Sequence, residues 1–157
     1  MTDLVEHYDE VALLECNLDD MTGEELGFVL ERLMNEGALD VWFTPIYMKK
    51  NRPATLLSVL CRPEDGPRLR GWLLRETSTL GVRWQALRRQ IADRRTVGAE
   101  TAWGVVRCKV KIVDGQVVGV KPEFDDCARL AREHGVPLRD VSAAARRIAE
   151  ETLIDPR

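Results

Sequence analysis

Apolar residues in this chain recur at two spacings, one typical of strands and the other typical of helices. Strand-like runs cover residues 11–16, 39–48, 55–61 and 82–86. Helical spacing covers about 23–36, with Leu26, Val29, Leu30, Leu33 and Met34 on one face, and 63–76, with Leu69, Trp72 and Leu73. The order strand, helix, strand, strand, helix, strand predicts a ferredoxin-like βαββαβ core.

The pattern changes after Asp93. Residues 105–113 alternate between apolar and polar, Asp114-Gly115 is typical of a type I′ turn, and 117–121 alternate again, which predicts a β-hairpin. Two helical patterns follow, at about 122–134 and 138–152. The sequence therefore predicts an α+β protein with a ferredoxin-like subdomain at 10–92 and a β-hairpin plus two-helix subdomain at 93–157.

Proline and apolar content place two of the strands. Pro45 cannot donate a ladder hydrogen bond, so the strand at 39–48 is expected at an edge or bulged. The run at 55–61 is apolar enough to lie in the sheet interior. Residues 1–9 are polar and acidic, so we expect a lead-in and no signal peptide.

Composition narrows the function classes. A net charge of −3 and an aromatic content of 6% argue against nucleic-acid binding. No apolar run approaches the ~20 residues that a membrane span needs. The four cysteines are scattered in apolar surroundings without a C-x-x-C pair, which favours reduced core thiols in a cytoplasmic protein.

The stretch from Glu15 to Glu25 joins the first strand to the first helix. Thr22 and Glu25 form a capping-box pattern, so the helix does not need Asp19 or Asp20 as its cap. Two adjacent carboxylates without a capping role are candidate ligands for a hard cation. The alternative is a solvated acidic turn.

Three loops are expected to meet at one end of the predicted sheet, because the first two strands of a βαββαβ fold run in the same direction. These loops are 17–22, 48–53 and 77–81. Besides Asp19 and Asp20, they carry or flank Lys49, Lys50, Arg52, Glu76, Thr77, Ser78, Thr79 and Arg83. Carboxylates beside basic and hydroxyl groups suit a metal-bound polyphosphate. A ring of intramolecular surface ion pairs is the other interpretation.

Four blocks of sequence resemble the nickel insertion proteins of the lactate racemase cofactor pathway. They are ECNLDDMTGE (15–24), FTPIYMKKNRP (43–53), RETSTLGVR (75–83) and VKPEFDDC (120–127), with GVPL (135–138) after them. The resemblance covers about residues 11–148 and is to the C-terminal half of that family. One departure is Cys16, where the family pattern has Thr.

This resemblance implies a function. Such proteins insert nickel into pyridinium bisthiocarboxylic acid mononucleotide, which yields the nickel-pincer nucleotide cofactor, and they depend on CTP and Mn (or Mg). The chain would then be an excised domain or a split-gene product whose missing partner is the N-terminal half, and a homo-oligomer is expected. Nickel would be the substrate of the full-length protein.

The resemblance also implies residue roles. Asp19 and Asp20 would hold the metal or its water, and the nucleotide site would comprise Lys49, Lys50, Arg52, Glu76, Thr77 and Arg83. Lys121 and Glu123 are further candidates, contributed across a subunit interface. No catalytic residue is assigned. Two alternatives stay open, which are a structural oligomerisation module without a nucleotide site and a sensor of a small ligand.

Overall fold

The computed structural model describes residues 7–154, and side chains up to residue 153. The elements, in chain order, are β1 (His7–Leu18), α1 (Gly23–Asn35), β2 (Asp40–Met48), β3 (Arg52–Cys61), α2 (Gly66–Glu76), β4 (Arg83–Ile91), β5 (Asp93–Thr101), β6 (Gly104–Val113), β7 (Gln116–Pro122), α3 (Phe124–His134) and α4 (Leu138–Ile154). They form two compact units, a first unit of residues 8–90 and a second unit that begins at residue 91 and includes His7. The assignment of subdomains to residues 10–92 and 93–157 stays a prediction.

The first unit has the predicted ferredoxin-like βαββαβ arrangement. Its sheet has the order β2-β3-β1-β4, and β3 lies antiparallel to both β1 and β2. β1 and β2 therefore run in the same direction, as expected. β2, which contains Pro45, is an edge strand and β3 is interior, so both placements drawn from the sequence are confirmed.

The core of the first unit lies between this sheet and the helices α1 and α2. Alternation along β1 points Leu14, Cys16 and Leu18 into it, each at most 3% exposed. The helices supply their predicted stripes, with the fully buried residues Val29, Leu33, Leu69 and Leu73. Burial of one such aliphatic side chain contributes about 1.5–3 kcal/mol, so the core can fix β1 and the loop that follows it.

The second unit differs from the prediction by one strand. The expected hairpin is present as β6 and β7, and positive φ angles at Asp114 and Gly115 agree with its type I′ turn. A third strand, β5, pairs antiparallel with β6 along its whole length, so the sheet has the order β5-β6-β7. Strand β5 was not predicted from the sequence, because it is strongly polar and has no clear apolar alternation. It is a strand because its backbone forms hydrogen bonds with β6, and its own sequence has no pattern that predicts this pairing.

Helices α3 and α4 bury a second hydrophobic core against one face of this sheet. Its fully buried members include Ala99, Val106, Val110, Val141 and Ala145. Two further boundaries differ from the sequence analysis. Residues 7–9, expected in a polar lead-in, belong to β1, and the fourth strand extends to Ile91 and not to residue 86. The rest of the predicted lead-in lies outside the described residues.

An ion pair ties α3 to β6. The Arg107 side chain donates from Nε to Asp126 Oδ2 (2.8 Å) and from Nη2 to Asp126 Oδ1 (3.0 Å), and its backbone N–H also donates to Oδ2 (3.0 Å). These side-chain and backbone hydrogen bonds lower the pKa of Asp126 to about 2. The carboxylate form is therefore favoured in the folded protein.

We predict that Asp126→Asn destabilises the chain at neutral pH and that its deficit shrinks in acid. Because the folded pKa lies below the ordinary value of 3.8, the stabilisation is complete above that pH and is lost as the pH falls through about 2. Urea unfolding of wild type and variant across this range measures it. The exposed neighbour Asp125 provides the control variant, Asp125→Asn. A deficit that does not change with pH would contradict the prediction.

Candidate functional site

The loop between β1 and α1 is held by its helix cap. The Glu25 N–H donates to Thr22 Oγ1 (3.3 Å), and the Thr22 N–H donates to Glu25 Oε2 (2.7 Å), which completes the predicted capping box. Asp19 and Asp20 therefore lie in this loop without a capping role. We call residues 19–22 the acidic loop.

The acidic loop contacts both other loops that the topology was expected to bring to this end. Arg52 Nη1, at the start of β3, lies 3.0 Å from Asp19 Oδ2. The Ser78 hydroxyl, in the loop between α2 and β4, donates to Asp20 Oδ1. The expected convergence of the three loops is thus present, and the acidic loop is at its centre.

The connection between β2 and β3 presents lysines to solvent. Lys50 and Asn51 have φ angles of 61° and 56°, in the left-handed region that side chains rarely adopt. Asn tolerates this region, whereas Lys does so at a cost of roughly 1–2 kcal/mol. Lys49 and Lys50 are exposed. We call residues 49–52 the basic turn. Consecutive positive φ angles are typical of the tight turns that join hairpin strands.

Hydroxyl groups in the loop after α2 have different partners. Thr77 Oγ1 donates to the Leu73 carbonyl (2.7 Å) and so ends α2. Thr79 Oγ1 donates to the Gly81 carbonyl (2.9 Å) and holds the turn into β4. The predicted candidate Thr77 therefore has a local structural role, whereas Ser78 contacts the acidic loop. Glu76 is exposed at the last residue of α2, where the helix dipole does not favour a carboxylate.

A polar row on β1 continues the site along the outer face of the sheet. Arg83 Nη2 donates to Asn17 Oδ1 (2.8 Å), and Arg83 Nε lies 4.0 Å from Glu15 Oε2. The hydroxyl of Ser58, only 1% exposed, donates to Glu15 Oε1 (3.2 Å). Glu15, Asn17 and Ser58 were not among the candidates from sequence. The signal for the first two was their alternation with Leu14, Cys16 and Leu18, which puts them on one face of the strand.

Cys16 lies on the opposite face of β1 and is fully buried. Burial raises the pKa of its thiol, while a hydrogen bond with Thr79 and the charge of Arg83 lower that pKa to a smaller extent. The thiol is therefore a protonated core group at neutral pH. The other three cysteines are also buried and free, as the sequence predicted.

The remaining two candidates, Lys121 and Glu123, belong to the second unit. Lys121 on β7 pairs with Lys109 on β6, and Glu123 Oε1 lies 2.8 Å from Lys109 Nζ. A groove of about 420 Å³ beside them has four basic residues in its lining, Arg94, Lys109, Lys111 and Lys121, together with the acidic Asp93. These residues form a cluster of their own, which we call the basic groove.

The described part of the chain contains neither a preformed metal-binding group nor a membrane-spanning helix. Within it, no group of three or more His, Cys, Asp or Glu side chains is arranged to hold a metal ion. A divalent cation at the acidic loop would therefore need ligands from elsewhere. Among the helices of residues 7–154, none has the length and apolar content to cross a membrane.

Comparison with known proteins gives consistent results. A family model described as nickel insertion protein matches residues 2–142. A putative nickel insertion protein of Maridesulfovibrio salexigens is 50% identical over 129 residues, which are 82% of this chain and 31% of that protein. The pyridinium-3,5-bisthiocarboxylic acid mononucleotide nickel insertion protein of Lactiplantibacillus plantarum is 46% identical over 138 residues, 87% of this chain and 32% of that protein.

Solved structures extend the similarity to the fold. LarC2, the C-terminal domain of a cyclometallase involved in the synthesis of the NPN cofactor of lactate racemase, matches in its apo form with a TM-score of 0.85 and 43% identity, over 92% of this chain and 99% of that chain. Protein MK0293 from Methanopyrus kandleri matches with a TM-score of 0.66 and 28% identity, over 92% and 89%.

The chain spans about a third of the length of the curated relatives it matches. Its match to the C-terminal cyclometallase domain is nearly end to end. The chain therefore belongs to the nickel insertion protein family, in which it corresponds to the C-terminal domain.

Proposed function

We propose that this chain is the CTP-binding, C-terminal domain of an enzyme that inserts nickel into pyridinium-3,5-bisthiocarboxylic acid mononucleotide to form the nickel-pincer nucleotide cofactor. The names of the relatives support the reaction and its substrate. The main support for the nucleotide-binding role of this chain is that three loops meet at one end of the first unit. They supply the carboxylates of Asp19 and Asp20, the guanidinium of Arg52 and the hydroxyl of Ser78. Cytoplasmic location, assembly into a homo-oligomer and an N-terminal partner domain belong to the same proposal.

The acidic loop fits a cation that arrives with a polyphosphate. Mg²⁺ and similar cations are held by one or two carboxylates, phosphate oxygens and water, and not by a cage of protein ligands. Asp19 and Asp20 provide two carboxylates, and no third His, Cys, Asp or Glu side chain completes a metal-binding group in the described structure. When bound, manganese would neutralise part of the triphosphate charge.

The surrounding residues have roles in binding and orientation. Lys49, Lys50 and Arg52 would donate to phosphate oxygens, which prefer charged donors. The first N–H groups of α1, directly after the acidic loop, favour negative charge at the same end of the unit. Arg83, which donates to Asn17, would complete the site together with the exposed Glu76 and with Thr77, the C-cap of α2.

We predict that CTP together with Mn raises the unfolding temperature of the purified chain, whereas UTP, ATP, GTP or CTP without Mn does not. A ligand at about 100 times its dissociation constant stabilises by ~2.7 kcal/mol, which corresponds to roughly 5–10 °C for a chain of this size. Lys50→Ala is expected to abolish the shift because it removes a phosphate donor. Differential scanning fluorimetry with each nucleotide, with and without Mn, provides the measurement.

The matched control for Lys50→Ala is Lys111→Ala in the basic groove of the second unit. Lys111 is also an exposed lysine, and it is expected to leave the shift unchanged. A shift that survives Lys50→Ala and is lost in Lys111→Ala or Lys121→Ala would move the nucleotide site to the basic groove. The absence of a shift with any nucleotide would contradict a nucleotide site in this chain.

The second candidate function is a structural assembly module. Large apolar side chains on the first unit are exposed, among them Phe28, Tyr47, Leu80 and Trp84, with Tyr47 at 81%. Aromatic residues such as Phe, Tyr and Trp are enriched at protein–protein interfaces. This function needs no ligand at the acidic loop.

Ligand binding and assembly are expected to respond differently to the same substitutions. We predict that Asp19→Asn and Lys50→Ala leave the sedimentation coefficient of the purified chain unchanged and abolish its stabilisation by Mn and CTP. The reason is that both residues lie in loops and neither contributes to a hydrophobic core. Analytical ultracentrifugation of wild type and variants tests this. Oligomers that persist while no variant affects any ligand assay would favour the assembly module.

A further inference from the structure

The acidic loop and the basic turn carry opposite charges that pair with each other. Asp19 Oδ2 and Arg52 Nη1 form an ion pair at 3.0 Å, and the Asp19 side chain is 21% exposed while that of Arg52 is 56% exposed. The proposed function places Asp19 among the groups that hold the cation and Arg52 among those that bind the phosphates. Each is therefore paired with the other in the arrangement described here.

We propose that this ion pair is a lock that makes the binding of a divalent cation and the binding of a polyphosphate mutually dependent. The inference rests on the proposed function and adds its regulation. A cation that binds alone at Asp19 Oδ2 separates this oxygen from Arg52 and leaves the guanidinium without its carboxylate. A polyphosphate that binds alone must do the reverse. When both bind, Asp19 turns to the cation and Arg52 turns to a phosphate, so that neither charge is left alone.

The second carboxylate is held in a weaker way. Asp20 accepts a hydrogen bond from the Ser78 hydroxyl, which is a neutral group. A hydroxyl has both donor and acceptor capacity and can rotate, so Ser78 can contact a bound water or a phosphate oxygen after Asp20 engages the cation. The electrostatic free energy that is lost when both ligands enter the site therefore comes mainly from separation of the Asp19–Arg52 ion pair.

The two lysines of the basic turn do not make polyphosphate binding independent of the cation. Lys49 and Lys50 are exposed, and they offer donors to a phosphate whether or not a cation is present. They provide affinity for the polyphosphate without opening the ion pair. The lock thus predicts that removal of one partner improves binding of the ligand that the other partner recognises, which is not expected for a residue that only contributes affinity.

The experiment measures the two ligands separately on the purified chain. Mn²⁺ alone is titrated by electron paramagnetic resonance, and inorganic tripolyphosphate alone is titrated by calorimetry in the presence of a chelator. We expect Arg52→Ala to bind Mn²⁺ alone about two- to fivefold more tightly than wild type, the change that corresponds to loss of an exposed ion pair. The same variant should bind tripolyphosphate more weakly.

Asp19→Asn is expected to show the opposite pair of effects. It should bind tripolyphosphate alone about two- to fivefold more tightly and bind Mn²⁺ more weakly. Both variants should lose affinity for the two ligands together. Arg62→Ala and Glu10→Gln are the matched controls, because they remove the same charges at exposed positions, Arg62 directly after β3 and Glu10 near the start of β1. Neither control should raise the affinity for either probe.

The outcomes separate the lock from the proposed function. Stabilisation by Mn and CTP, combined with unchanged or weaker Mn²⁺ binding in Arg52→Ala, would overturn the lock and leave the proposed function intact. An improvement of equal size in Arg62→Ala would also overturn it, since the effect would then come from net charge. A wild-type chain that binds neither probe and is not stabilised by any nucleotide would overturn both.

Discussion

Pairing of β1 between β3 and β4 is the constraint on which the first unit depends. An interior strand has both edges hydrogen-bonded, so the register of β1 fixes which of its side chains face the helices. Leu14, Cys16 and Leu18 face them and are buried, which forces Glu15 and Asn17 to the other face. A shift by one residue would bury a carboxylate and an amide and expose the core.

The same constraint positions the candidate site. Because β1 ends at Leu18 and α1 begins at Gly23, the acidic loop is short and is fixed at both ends, by the sheet and by the Thr22 cap. The antiparallel pairing of β3 with β1 brings Arg52 to this end, where it reaches Asp19. A site whose polar groups come from three loops can then keep its geometry, since each loop leaves a rigid element.

The residues of the candidate site are separate from the residues that stabilise the chain. The groups at the loops are charged and mostly exposed, and the residues that hold the two cores are aliphatic and buried. The one described carboxyl whose pKa is lowered to about 2, Asp126, pairs with Arg107 in the second unit and ties α3 to β6. Substitutions at the acidic loop should therefore affect ligands more than folding, which makes the loop accessible to mutational tests.

The sequence by itself determined the βαββαβ order, because the hydrophobic period changes between strands and helices and Pro45 excludes an interior position for β2. It also determined the Thr22 cap, which is a local hydrogen-bonding pattern. Only the tertiary structure decided that β5 is a strand, since its hydrogen bonds come from β6, and that Asp19 pairs with Arg52 and Asp20 with Ser78. These partners lie 33 and 58 residues apart, and no local pattern encodes a contact that the packing of separate elements creates.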